Sequence, residues 1–224
     1  MIRFLTDATG RIATALAVSA LTASMSFAAA ALPKPAVDMP PAARKSVETA
    51  VLAGGCFWGV EAVFEHVKGV TQVTSGYSGG TAESAKYKLV SSRATSHAES
   101  VRISYDPSQV TYGQLLSVFF SAAHNPTELN RQGPDVGKHY RSAIFYANED
   151  QRKVAQAYIA QLDAAKVLPR PIVTEVAPLK AFYEAEAYHQ DYAARNPTQP
   201  YIVVHDLPKI ASLQRQFPDL YVPN

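Results

Sequence analysis

Two rhythms of apolar and polar positions run along this chain, and the switches between them mark its elements. Val47, Thr49 and Val51 alternate with polar or small neighbours and run into Gly54-Gly55, which predicts a strand closed by a tight turn. Directly afterwards Phe57, Val60, Phe64 and Val67 fall three and four residues apart, the apolar face of a helix that Gly69 ends. Val101, Ile103 and Tyr105 alternate with Arg102 and Ser104, a strand that stops at Asp106-Pro107. Thr111, with Gln114 three residues later, reads as a capping box that opens a helix carrying Leu115, Phe119 and Ala122. Ser142 to Ala147 reads as a strand, Glu149 to Lys166 as an amphipathic helix and Ile172 to Val176 as a strand. Glu184 to Arg195 reads as a helix ending before Asn196-Pro197, and Pro208 to Gln216 as another. Gly76-Tyr77-Ser78-Gly79-Gly80 has neither the GxGxxG spacing nor a P-loop lysine and reads as a mobile loop. Interleaved helices and short, mostly antiparallel strands predict a two-layer α/β sandwich.

The first 31 residues follow neither rhythm. Arg3 and Arg11 precede an uncharged run of Ala, Ser, Thr, Leu and Val that ends in Ser26-Phe27-Ala28-Ala29-Ala30-Ala31, the pattern of a cleaved secretory signal. Residues 32–45, with Pro33, Pro35, Pro40 and Pro41, read as an extended tether. Residues 46–206 form the folded domain in this division, and 207–224 a C-terminal extension. The expected location is exported, in the periplasm, with no membrane contact after cleavage.

Composition narrows the chemistry. With 21 Lys+Arg against 19 Asp+Glu, the net charge is +2, without the clustered basic face of a nucleic-acid binder. One cysteine, Cys56, excludes an internal disulfide, a CxxC redox pair and any Cys-rich metal site. Six histidines show no metal-ligand spacing, so no metal site is expected. Cys56 stands at the first turn of the helix that follows two glycines, where backbone amides favour a thiolate by about 0.3–1 kcal/mol; one pKa unit is ~1.4 kcal/mol, so the helix end alone does not activate it. Trp58, rotated away from the helix's apolar stripe, is a pocket candidate, whereas Phe57 also belongs to the core. Glu99 shares the parity of Val101 and Ile103; on their apolar face it would stay protonated and act as an acid, and at the strand end in solvent it would be an ordinary carboxylate. Tyr87, Tyr140 and Tyr192 read by themselves as amphipathic surface residues.

Five motifs change that picture. Gly54-Gly55-Cys56-Phe57-Trp58-Gly59, Gly76-Tyr77-Ser78-Gly79-Gly80, His97-Ala98-Glu99, Asn130-Arg131-Gln132-Gly133-Pro134-Asp135 with Tyr140-Arg141-Ser142, and Tyr188-His189-Gln190-Asp191-Tyr192 resemble, in order, the type A peptide methionine sulfoxide reductases. The resemblance implies an α+β fold, a two-layer sandwich with a ferredoxin-like core and a mixed, largely antiparallel sheet. It implies that Cys56 attacks the sulfur of a methionine-S-sulfoxide, free or in oxidised proteins and peptides, and becomes a sulfenic acid as methionine leaves. Glu99 matches the family's acid, Tyr87 and Tyr140 the tyrosines that hydrogen-bond the substrate oxygen, Phe57 and Trp58 the methyl pocket, and Asp135 and Tyr192 polar residues lining the site. No bound cofactor is expected, and the protein is expected to be a monomer.

Three departures stand out. Many members carry resolving cysteines near the C-terminus, and here Tyr201-Ile202 and a helix follow Asn196-Pro197 instead. An external thiol, thioredoxin-like, glutaredoxin or glutathione, must then reduce the sulfenic acid. Asn125 stands where the family usually has aspartate, and Ser91 to Ser96 lacks glycines common before the HAE motif. Two other activities use the same residues: a Cys-His hydrolase or acyltransferase with Cys56 and His97, or a non-catalytic methionine-sulfoxide-binding redox sensor.

Overall fold

The alternation that starts at Val47 becomes a central strand, β1 (Glu48–Gly54), in a computed structural model that describes residues 32–223. Val47 is exposed; Ala50 and Leu52 face the main core, while Val51 and Ala53 meet Ala98, Ala143 and Phe145 on the opposite face. A strand buried on both faces has no single apolar parity, so the odd-numbered positions mark only its secondary side.

The chain continues through α1 (Phe57–Glu65), β2 (Val70–Ser78), α2 (Tyr87–Ser91), β3 (Ala98–Tyr105) and α3 (Tyr112–Val118). Then come the two-residue strands β4 (Arg131–Gln132) and β5 (Asp135–Val136), β6 (Ser142–Tyr146), α4 (Glu149–Ala165), β7 (Glu175–Pro178), β8 (Phe182–Glu184), α5 (Tyr192–Arg195) and α6 (Leu207–Gln216). Six strands form one sheet in the order β7-β6-β1-β3-β2-β8, with β6 and β7 parallel and the other neighbours antiparallel. Its inner order, β6-β1-β3-β2, joined by helices after β1 and β3, is the ferredoxin-like arrangement of an α+β fold. Phe57, Phe64, Leu115, Leu116 and Tyr158 bring α1, α3 and α4 onto the main core.

Local chemistry sets the element ends. Thr111 Oγ1 accepts from the Gln114 N–H at 3.2 Å, and Gln114 Oε1 accepts from the Thr111 N–H at 2.8 Å, the capping box expected of α3. Asn148 caps α4 by accepting from the Gln151 N–H at 2.9 Å; the buried Gln151 amide then donates to the Thr49 carbonyl at 2.8 Å, pinning the helix to β1. Asn125 Oδ1 accepts from the Thr127 N–H and hydroxyl at 3.0 and 2.8 Å, which an aspartate oxygen would do equally.

Three local expectations are corrected. Gly76 lies inside β2 rather than in a mobile loop, because a side chain there would run into the Phe182 ring and the Tyr183 carbonyl; glycine lets β8 close on β2. Glu184 to Arg195 is not one helix. Gln190 spends its side chain on β2, accepting from the Ser75 N–H at 2.8 Å and donating to the Ser75 carbonyl at 3.0 Å, and Asp191 turns the chain at φ +51°. The edge strand β7 starts at Glu175 rather than Ile172, whose N–H is taken by Asp163 Oδ1 at 3.0 Å.

Residues 32–45 contain no helix or strand and are tied to the domain: the Tyr158 hydroxyl donates to the Pro33 carbonyl at 2.8 Å, and Asp38 accepts from the Gly113 N–H at 2.7 Å. At the other end α6 buries Leu213 in the main core, and Gln216 donates to the Ser121 carbonyl at 3.1 Å. The expected signal segment, 1–31, lies outside the described residues, among which no helix is long and apolar enough to cross a membrane.

Candidate active site

The turn after β1 carries the chain into Cys56 at the start of α1. Gly55 has φ +95°, and a Cβ there would come within 2.6 Å of the Gln132 side chain, so only glycine makes this turn. Cys56 is the N-cap of α1, one position before the first turn where the pattern put it, and is 8 % exposed. The small shift toward thiolate that the helix end offers is outweighed, and Cys56 rests as a thiol. Burial pushes the Cys56 pKa well above its ordinary value, the carboxyls of Glu99 and Asp206 add to that, and the Trp58 N–H at the helix start opposes it without prevailing. Helix amides are worth about 2 kcal/mol at best, less than the desolvation of a buried anion.

Glu99 is on β3 opposite Tyr77, 2 % exposed, with Oε2 accepting from the Phe57 N–H at 3.1 Å. Burial pushes its pKa up to about 8, the Phe57 N–H draws it down and Asp135 raises it, so at neutral pH the carboxyl is mainly protonated. The apolar-face placement is therefore the one the fold adopts. Tyr87 opens α2 and Tyr140 closes a 3-10 turn before β6. Burial first, then the charges of Glu99 and Cys56, raise both phenols, which places both hydroxyls in the field of that pair. Each phenol keeps its proton and can donate it to an oxygen.

An aromatic wall stands beside them. Trp58 stacks on Tyr192 with ring centroids 3.8 Å apart and planes 10° from parallel, Tyr201 meets it edge-on at 6.0 Å, and its Nε1–H donates to His189 Nδ1 at 3.2 Å. The His189 ring lies 4.4 Å from Tyr87 and 5.0 Å from Phe57. Phe57 is 1 % exposed, so its ring lies beneath this wall while its N–H serves Glu99. Asp135, on β5, accepts a hydrogen bond from the Tyr201 hydroxyl. The family model for peptide methionine sulfoxide reductase matches residues 48–220. The chain belongs to this family.

Named relatives agree along most of its length. A peptide methionine sulfoxide reductase MsrA 2 of Mesorhizobium japonicum is 61% identical over 174 residues, covering 78% of this chain and 89% of the relative. Its counterpart in Synechocystis is 53% identical over 190 residues, covering 84% of this chain and 89% of the relative. The solved methionine sulfoxide reductase A of Corynebacterium diphtheriae superposes with a TM-score of 0.60 at 34% identity, covering 76% of this chain and 86% of that one. This reductase is an oxidoreductase that acts on methionine sulfoxide.

Its site draws on residues that the pattern of the chain did not single out. Tyr201 reaches Asp135 across 66 positions, and Glu186 holds the start of α2 by accepting from the Tyr87 N–H and the Tyr77 hydroxyl, both at 2.9 Å. Asp206, fully buried, pairs with Lys209 Nζ at 3.0 Å against the start of α1; a Cβ on Gly59 would strike both. The motif glycine thus seats the tail of the reductase beside its cysteine. His97, by contrast, bonds the Thr81 carbonyl at 3.0 Å through Nε2 and packs edge-on to Tyr77 and Tyr183. It is occupied away from Cys56, and the Cys-His pair of a hydrolase is not formed.

The Asp206–Lys209 pair carries a stability prediction. Lys209→Met leaves a buried carboxylate unpaired and is expected to cost about 3 kcal/mol in urea unfolding at pH 7. Burial already holds Asp206 above its ordinary value and Lys209 draws it down, so losing Lys209 raises it further. The loss should therefore deepen as pH rises above the unfolded-state pKa and shrink in acid, where Asp206 is neutral. The double variant Asp206→Asn/Lys209→Met should recover most of it; an unchanged unfolding midpoint in Lys209→Met would show the pair to be idle.

Proposed function

We propose that this reductase repairs methionine-S-sulfoxide, free or in oxidised proteins and peptides, by oxygen transfer to Cys56. One observation carries the reading: the nucleophile caps the same helix whose first N–H is held by a buried, protonated Glu99. The Cys56 sulfur attacks the sulfoxide sulfur while Glu99 protonates the oxygen, which makes it a leaving group, and Tyr87 and Tyr140 hold that oxygen by hydrogen bonds. The oxygen passes to Cys56 as a sulfenic acid and the substrate sulfur gains the electron pair, so Cys56–SH and sulfoxide become Cys56–SOH and methionine. Trp58, with Phe57 beneath it, takes the substrate methyl group, and Asp135 and Tyr192 frame the opening. A pocket with one place for the methyl and one for the oxygen admits one epimer at sulfur.

With one cysteine in the chain, no internal disulfide can follow. An external thiol, thioredoxin-like, glutaredoxin or glutathione, condenses with the sulfenic acid, releasing water; a second thiol frees Cys56 from the mixed disulfide. The N-terminal pattern supports export to the periplasm, where an oxidising environment makes both the damage and the need for a partner thiol chronic. Single turnover without reductant tests the chemistry. One equivalent of methionine per protein is expected from the S-sulfoxide, none from the R epimer, with one oxygen added at Cys56; methionine release without Cys56 oxidation would overturn the mechanism.

A further inference from the structure

Behind the catalytic cysteine, α1 carries two acidic residues that the oxygen-transfer chemistry does not use. Glu61 and Glu65 are one turn apart, and Asp191 stands at the left-handed turn before α5. One carboxylate oxygen from each lies within 4.8 Å of the others. Glu61 is 1 % exposed, and neither of its oxygens has a hydrogen-bond partner. None of the ion pairs among the described residues involves any of the three. Like charges four apart on a helix repel, and a buried carboxylate without a partner is costly. A fold that brings a third carboxylate to such a pair gathers negative charge that either shared protons or a bound cation must offset.

We propose that Glu61, Glu65 and Asp191 bind a hard divalent cation of the calcium type. Every donor is an oxygen, which disfavours the softer metals that seek imidazole or thiolate. Ligand oxygens within 4.8 Å of one another can close on one ion at the ~2.3–2.6 Å of a calcium–oxygen bond, and one ligand on a helix face with another on an exposed turn suits calcium's loose geometry more than magnesium's rigid octahedron. The adjoining cleft, about 290 Å³, is lined by Glu65, Asp191 and residues 70–73, so Thr71 and Gln72 oxygens and water are available to complete the shell. The ion ties α1, capped by Cys56, to the turn whose next residue, Tyr192, stacks on Trp58. It would brace the aromatic wall from behind.

Calorimetric titration of the EDTA-treated, full-length protein with CaCl₂, at constant ionic strength, tests this without any catalytic assay. One Ca²⁺ per chain is expected, with a dissociation constant of about 10⁻⁴–10⁻³ M and a concentration-dependent rise in Tm; MgCl₂ should bind more weakly. Asp191→Asn, on an exposed turn and therefore benign to folding, and Glu61→Gln should each weaken binding at least tenfold. Without Ca²⁺, Glu61→Gln should melt above the parent, since its amide removes the repulsion. No saturable heat up to 10 mM Ca²⁺, or the same heat in Asp191→Asn, would overturn the site and leave three carboxyls that share protons.

Discussion

Cys56→Ser is expected to release no methionine above background in a single turnover, a fall on the order of 10⁴-fold or more. The serine hydroxyl is a far weaker nucleophile and cannot take the oxygen reversibly as sulfur does. The chain holds no second cysteine, so nothing can stand in for the missing thiol. Cys56 is buried at the start of α1 and the swap is close to isosteric, so stability should change by only about 1 kcal/mol, and affinity for the S-sulfoxide should persist. Binding without release would separate the chemical step from recognition. In the parent protein the same solitary thiol sets the kinetics of regeneration. Each oxidised Cys56 waits for an outside thiol, so steady-state turnover should rise in proportion to reductant at low concentration, while the reductant-free burst stays at one equivalent. A burst of two would require either a second oxygen acceptor or further oxidation of Cys56 to a sulfinic acid, which its mass distinguishes, and retained methionine release in Cys56→Ser would remove this residue from the reaction.

Much of this site was legible because its informative patterns are short. Gly54-Gly55 before a 3.6-periodic run locates Cys56 to within one residue, and strand parity offers Glu99 a place in the apolar layer, although the solvated strand end stays open until the fold decides it. Both inferences depend only on neighbours a few positions away. The protonation state of Cys56 was less legible for the same reason: the helix start is visible locally, but its burial and the nearby charges of Glu99 and Asp206 come from distant segments, and they outweigh the helix amides. Tyr201 and Asp206 lie in a tail whose lack of cysteine draws attention away from what it contributes, and no periodicity connects Tyr201 to Asp135. Gly76 resembles a loop residue because a glycine needed for close strand approach and one needed for flexibility are the same letter. Glu61 and Glu65 show the same limit: on the sequence they are an ordinary i,i+4 pair, and Asp191 joins them only through the fold.

Glu99→Gln is the second large effect, and its signature lies in the pH profile. At pH 7 the single-turnover rate should fall by about 10²–10⁴, with substrate affinity largely kept, because glutamine preserves the shape and the acceptor for the Phe57 N–H but has no proton to give. The reactive state carries one proton between two groups: on Glu99, with Cys56 as thiolate. Glu99 titrates at about 8 and Cys56 higher, so the first proton lost comes mainly from Glu99, and the reactive arrangement is a minor tautomer of the singly deprotonated pair. Its population grows tenfold per unit as pH rises toward about 8, then levels, since each further gain in thiolate is matched by a loss of acid. The parent rate should therefore rise and flatten near pH 8. Glutamine does not titrate, and without the Glu99 charge the Cys56 thiol is easier to ionise, so the slower variant should keep climbing past pH 8 until Cys56 itself is spent. A variant that flattens at the same pH as the parent would assign that break to another group, and an unchanged rate at pH 7 would remove Glu99 as the acid.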